Sequence, residues 1–341
     1  MSTFDFASLL FFMAAAIGFL NERTLRLPRV IALLLGSLAV SALIIAVDPL
    51  VRSHDLHEVS RQRLAGSNIP RILMDGVLAL LLFAGSLHVD LRELRRQAWA
   101  VLGLATVGVV IGSIVFGAGI WAVFLAIGRP VAPLWCLVLG TILAPTDAVA
   151  VEGLLRRVPI PAGLKALISG ESLFNDGAAV VLFVAAVSAA EGQLGAIGHG
   201  RIAFDLLVEG VGGAALGAAT GYVAGQTLRR IEDRNLIVTV SLALVLTTYR
   251  LAVAFGLSGP IAVVVAGLVL ANTEANAWKA GLVNFWSLVD DLLNTLLYML
   301  MGFELLAVDL GPFATLAALA AIPLALLTRL VSVGAPMLVF D

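Results

Sequence analysis

Charge is what this chain has least of. Only 13% of its 341 residues are Asp, Glu, Lys or Arg, against 60% hydrophobic residues, and the mean hydropathy is +1.04. A soluble domain of this length needs far more polar surface, so the composition excludes one and points to a polytopic helical membrane protein. There is no basic surplus either: the net charge is −2, and no nucleic-acid partner is expected. The one cysteine, Cys136, lies in an apolar span, has no intrachain disulfide partner, and is read as packing. Alternation is lacking as well. Blocks such as Val77–Ala84 and Ala178–Val187 are continuously apolar, which excludes a closed β-barrel. The N-terminus has no basic region before its apolar block and carries Asp5, so it reads as a first span and not as a cleaved signal peptide.

A hydrocarbon core about 30 Å thick needs roughly 20 apolar residues per helix. That ruler places about eleven spans at 5–21, 29–47, 71–88, 98–127, 132–155, 162–190, 203–228, 235–255, 258–272, 283–307 and 312–340. The short span 258–272 is expected to be tilted or partly re-entrant. No polar connection is long enough for a separate soluble domain, so the whole chain is expected to be one transmembrane domain.

With the N-terminus outside, the inner connections hold Arg23, Arg26, Arg29, Arg92, Arg95, Arg96, Arg156, Arg157, Lys165, Arg229, Arg230, Arg234 and Lys279. The outer ones hold Arg52, Arg61, Arg63, Arg71, Arg129 and Arg201. The bias predicts a multi-pass cell-membrane protein with the N-terminus outside and the C-terminus cytoplasmic.

The polar stretch 48–70 contains His54, His57 and Glu58, but HDLHE is not the HExxH zinc order, and a solvated loop is expected. His88 and His199 fall near span ends and are expected to be interfacial. Gly213, Gly217, Gly221 and Gly225 recur at every fourth position of one span. They predict close approach of another helix, within the chain or across a dimer contact.

The segment GESLFNDGAAVVLF, 170–183, sets Glu171, Asn175 and Asp176 inside an apolar run of spanning length. An ionisable group at mid-bilayer costs about 2.5–3.5 kcal/mol on insertion scales, so these carboxylates are transport-site candidates. At 100° per residue Glu171 and Asn175 share a stripe, with Ser172 and Asp176 beside them. In LGTILAPTDAVAVEGLL, Pro145 removes the helical hydrogen bond to the Thr141 carbonyl, so the helix is expected to kink or unwind near Thr146 and Asp147. Broken helices expose backbone dipoles at membrane depth, where transporters bind ions. Asp147 is expected beside Asp176, and Glu152 nearer the inner surface. Arg329 cannot shed its proton and must pair or face water; Glu171 is the expected partner, and snorkelling to the inner surface is the alternative.

These motifs resemble those of the NhaP-like sodium/proton exchangers, the electroneutral branch of the cation/proton antiporters. GESLFNDGAAVVLF resembles their Glu-Ser…Asn-Asp signature, APTDAVAV their Thr-Asp-Pro motif, and YRLAVAFGLSGPIAVVVAGLVLAN their Ser-Gly span. FWSLVDDLLNTLLYMLMGFEL resembles the span that follows, and TRLVSV the span bearing the intramembrane arginine. The resemblance runs from about residue 5 to residue 340. It implies an all-α inverted-repeat architecture: a six-span repeat over 5–190, a linking span at 203–228, and an incomplete second repeat over 235–341. It also implies a homodimer. By the same resemblance Asp176 is the ion- and proton-binding carboxylate, Asp147 and Thr146 are its neighbours, Asn175 marks the electroneutral class, and Glu171–Arg329 is a structural ion pair. Asp176 and Asp147 would hold Na+ transiently as cargo, and no cofactor is implied.

The chain departs from the family pattern in three ways. Ala148 replaces the motif proline, Val253 stands where relatives often carry an acid, and the last two family spans have no counterpart before Asp341. The expected function is therefore one-for-one exchange of a monovalent cation, foremost Na+, for H+ by a transporter that is not an enzyme. The alternatives are a truncated, transport-inactive homologue or subunit needing a partner chain and, more remotely, an intramembrane enzyme.

Overall fold

Apolar runs of near-bilayer length become helices here because a helix satisfies its own backbone polar groups where water cannot. The computed structural model describes residues 3–47, 76–146, 161–192, 199–273, 278–308 and 311–340, and no strand occurs among them. In chain order the helices are α1 (Thr3–Arg23), α2 (Arg29–Val47), α3 (Leu78–Leu87), α4 (Leu91–Arg96), α5 (Ala98–Ala126), α6 (Pro133–Leu143) and α7 (Ala162–Ala190). They continue as α8 (His199–Leu228), α9 (Arg234–Ala254), α10 (Gly259–Ala271), α11 (Trp278–Glu304) and α12 (Pro312–Phe340).

Among the described residues, helix therefore stands within every expected span; 71–75 of the third and 147–155 of the fifth lie outside them. The helices α2, α5, α7, α9 and α12 are long and apolar enough to cross a membrane by themselves, and α3, α6 and α10 are shorter apolar helices. The short α4 was not anticipated. It opens on Asp90, whose side chain accepts from the Arg92 N–H. The stretch 48–70, with His54, His57 and Glu58, lies outside the described residues. His88 is exposed just past the end of α3, as expected. His199 starts α8, but its side chain lies outside what is described.

The chain divides into two compact units. The first contains α1, α2, the start of α3 and α11 from Val283 onward. Leu10, Ala14, Leu33, Tyr298, Met299, Phe303 and Leu306 form its core, and Ser41 Oγ donates to the Gly302 carbonyl at 2.9 Å. Fully buried Trp286 stacks against Phe83 with centroids 4.8 Å apart.

The second unit contains the end of α3, α4 to α10, the start of α11, and α12. Its tightest packing is the glycine ladder of α8. A Cβ at Gly213 would meet the Ser258 carbonyl oxygen, one at Gly217 that of Ala262, and one at Gly221 that of Ala266. The small-residue face is thus occupied within the chain, by α10. That 13-residue helix is about 20 Å long at 1.5 Å per residue. It is short for a bilayer because protein, not lipid, covers it: nine of its residues are buried. Cys136 is 1% exposed and packs with Phe116 and Ile120, so the packing expectation holds.

Connections and span ends that the span scheme puts on one side meet in three places. Asn272 Oδ1 accepts from the Leu91 N–H at 3.1 Å, the Ser258 N–H donates to the Glu209 carbonyl at 3.1 Å, and the Arg129 guanidinium lies 4.5 Å from the Phe313 ring centroid.

Candidate functional site

The second unit also contains the break that Pro145 predicts. The α6 helix ends at Leu143, after 11 residues and about 16 Å, roughly half a hydrocarbon core. The Ala144 N–H still donates to the Gly140 carbonyl at 3.0 Å. Pro145 has no N–H to continue the ladder, and Thr146 lies outside the helix.

The neighbouring α7 reaches Thr146 with its side chains. Ser172 Oγ donates to the Thr146 carbonyl at 2.6 Å, and Asn175 Nδ2 reaches the same oxygen at 3.2 Å. The Thr146 hydroxyl donates to Glu171, lying 3.3 Å from both carboxylate oxygens. Asn175 Nδ2 also donates to Glu171 Oε1 at 3.1 Å. One turn of α7 thus closes around one unwound residue of α6. This matches the shared stripe expected for Glu171 and Asn175.

Glu171 is 5% exposed, and a carboxylate so placed needs a counter-charge. Arg329 of α12 provides it with a two-pronged pair, Nη1 to Oε1 at 3.2 Å and Nη2 to Oε2 at 3.0 Å. The fork geometry suits a carboxylate, and Arg329 pairs with the expected partner. Glu171 therefore receives the two guanidinium nitrogens, the Asn175 amide and the Thr146 hydroxyl, and its oxygens are fully engaged.

Asn175 is the exception. It is completely buried, and its Oδ1 has no hydrogen-bond partner among the described residues. Its amide cannot be turned round to correct this, because Nδ2 is required by the Glu171 carboxylate and the Thr146 carbonyl. Among the described residues the site therefore holds a buried oxygen acceptor without a partner, on the residue before Asp176.

The Asp176 backbone belongs to α7, but its side chain lies outside what is described, as do Asp147 and Glu152 altogether. Thr146, Glu171, Ser172, Asn175 and Arg329 are brought together. No cluster of three metal-ligating side chains occurs among the described residues.

Sequence reasoning missed one element of the site, a π-helical turn in α5 at Leu104–Gly108. It packs against both α7 and α12, the helices that carry Glu171 and Arg329. Single π turns often mark functional positions. Gly108 lies here against the backbone, where a Cβ would stand 3.1 Å from the Ser332 carbonyl oxygen. An apolar, glycine-containing run was the available signal, and it does not distinguish a π turn from an α turn.

Comparison with known proteins identifies the family. Residues 8–340 match the family model for the transmembrane sodium/hydrogen exchanger. The chain is 36% identical to the Na(+)/H(+) antiporter NhaP of Pseudomonas aeruginosa over 337 residues, covering 96% of this chain and 78% of the relative. It is 32% identical to the Na(+)/H(+) antiporter NhaS2 of Synechocystis over 299 residues, covering 86% of this chain and 50% of that one. In fold it resembles the sodium proton antiporter MjNhaP1 of Methanocaldococcus jannaschii, with a TM-score of 0.70 at 19% identity, over 98% of this chain and 78% of that one.

Proposed function

Since the chain belongs to the transmembrane sodium/hydrogen exchanger family, we propose that it exchanges Na+ for H+ one for one, with Asp176 as the carboxylate that carries either ion. The observation that carries this reading is the buried Asn175 Oδ1, which has no hydrogen-bond partner among the described residues and precedes Asp176 in sequence. Desolvation raises a carboxylate's proton affinity and a bound cation lowers it, so one acid can alternate between the two loads. Asn175 adds a ligand oxygen without adding charge. Thr146, Ser172 and Asp147 complete the proposed oxygen set.

Glu171 and Arg329 take no part in the exchange. Their pair neutralises itself and fixes α7 against α12, leaving Asp176 as the acid that turns over. Movement of one bundle against another would present the site to each face in turn. The chain is a multi-pass membrane transporter and is proposed to have no enzymatic activity and no cofactor. It is also proposed to act as a homodimer, with its N-terminus outside and its C-terminus cytoplasmic. The contact of Asn272 with Leu91 supports the underlying loop scheme, because the end of span 258–272 and the connection holding Leu91 are assigned to one side.

The test is a proteoliposome assay with a fluorescent proton reporter. An imposed Na+ gradient should drive proton flux in the wild type and none with Asp176→Asn. Flux retained by that variant would place the exchanging carboxylate elsewhere.

A further inference from the structure

In the first unit, α1, α2 and α11 enclose a groove of about 460 Å³, within the range of small-molecule sites, about 300–1,000 Å³. Its wall is apolar, formed by Phe11, Ala14, Ala15, Gly18 and Leu292, among others. Its mouth is polar, with Glu22 at the end of α1 and Arg29 at the start of α2. From Phe11 to Glu22 the groove follows eleven residues of α1, about 16 Å at 1.5 Å per residue. That is one leaflet of a hydrocarbon core about 30 Å thick. The groove thus has the depth and polarity of half a bilayer: charged at the interface and apolar towards the middle.

The mouth is built. Asn21 clamps the α1–α2 turn by donating to the Leu27 carbonyl and accepting from the Leu27 N–H, each at 2.9 Å. Arg26 in that turn takes a left-handed φ of 52°. Arg23 is occupied over the Phe19 ring, 5.3 Å from its centroid. Of the residues that line the groove, Glu22 and Arg29 are charged, opposite in sign, and neither makes an ion pair or side-chain hydrogen bond among the described residues.

We propose that this groove binds one phosphatidylethanolamine molecule, with an acyl chain along α1, the phosphate on Arg29 and the ammonium on Glu22. The charge pattern selects this headgroup. A purely anionic phospholipid would leave Glu22 facing like charge. A choline headgroup has no N–H to donate to the carboxylate. Ethanolamine satisfies both residues through charge-assisted hydrogen bonds.

Native mass spectrometry of the full-length chain, delipidated and then offered phosphatidylethanolamine, phosphatidylcholine, phosphatidylglycerol or cardiolipin, tests the assignment. Wild-type protein should retain phosphatidylethanolamine about tenfold over phosphatidylcholine, the ratio expected from one charge-assisted hydrogen bond. Glu22→Gln should erase that ratio. Gly18→Leu, at a position with no atom within 4 Å of a built Cβ, should fill the groove and abolish retention while the protein stays monodisperse. Equal retention of all four lipids by the wild type, or preference for the anionic ones, would overturn the proposal. So would a phosphatidylethanolamine preference that survives both substitutions.

Discussion

Thr146 and Glu171 carry most of the site's order, each for a different reason. Thr146 lies past the end of its helix, and its carbonyl accepts from Ser172 and Asn175. Glu171 is buried and draws every donor within reach, above all Arg329. Removing one member of such a pair typically costs about 3–5 kcal/mol, because the other is left charged and unmatched. Arg329→Gln should lie near the lower end, about 3 kcal/mol, since 38% of the Arg329 side chain is exposed. Thermal unfolding of the purified protein is the readout. Adding Glu171→Gln to that variant should recover part of the loss, and strict additivity of the two changes would rule out coupling. The partnership of Glu171 and Arg329 could be inferred from sequence, because a permanent cation and a carboxylate in lipid have few other options. The Thr146 hub was legible only in outline: Pro145 announces the break, but which α7 groups close over the Thr146 carbonyl depends on how the two helices meet.

Helix positions were the most legible feature. Bilayer thickness sets the length of an apolar run, so α2, α7 and α12 fall within a residue or so of the hydropathy estimate. The π turn of α5 was not legible, since it depends on Gly108 pressing against the α12 backbone, a contact distant in sequence. The glycine spacing of α8 predicted close packing but not the identity of the neighbour. With α10 as that neighbour, Gly217→Ala forces a methyl onto the Ala262 carbonyl and should cost about 1–3 kcal/mol, the usual range for overpacking. Gly85→Ala, with nothing within 4 Å of the built Cβ, should be neutral or up to about 1 kcal/mol stabilising from helix propensity. Melting temperatures of the two variants measured side by side distinguish packing from propensity. Equal shifts would show that the ladder does not bear on stability.

For the whole molecule, stoichiometry is the property with a direct test. One Na+ for one H+ moves no net charge, so imposing a membrane potential across proteoliposomes, of either sign, should leave the exchange rate unchanged. Acceleration by an inside-negative potential and slowing by the opposite one would require an unequal exchange. The ladder on α8 has a further consequence, for how this sequence can drift over generations. Where two main chains touch through hydrogens alone, substitution at Gly213, Gly217 or Gly221 has no conservative option. Compensation from α10 is also blocked, because the obstacle there is a carbonyl that every residue carries. Divergence between lineages should therefore accumulate on the outward faces of these helices and leave this seam as fixed as any ion ligand, so invariance along it would not by itself signal a part in transport.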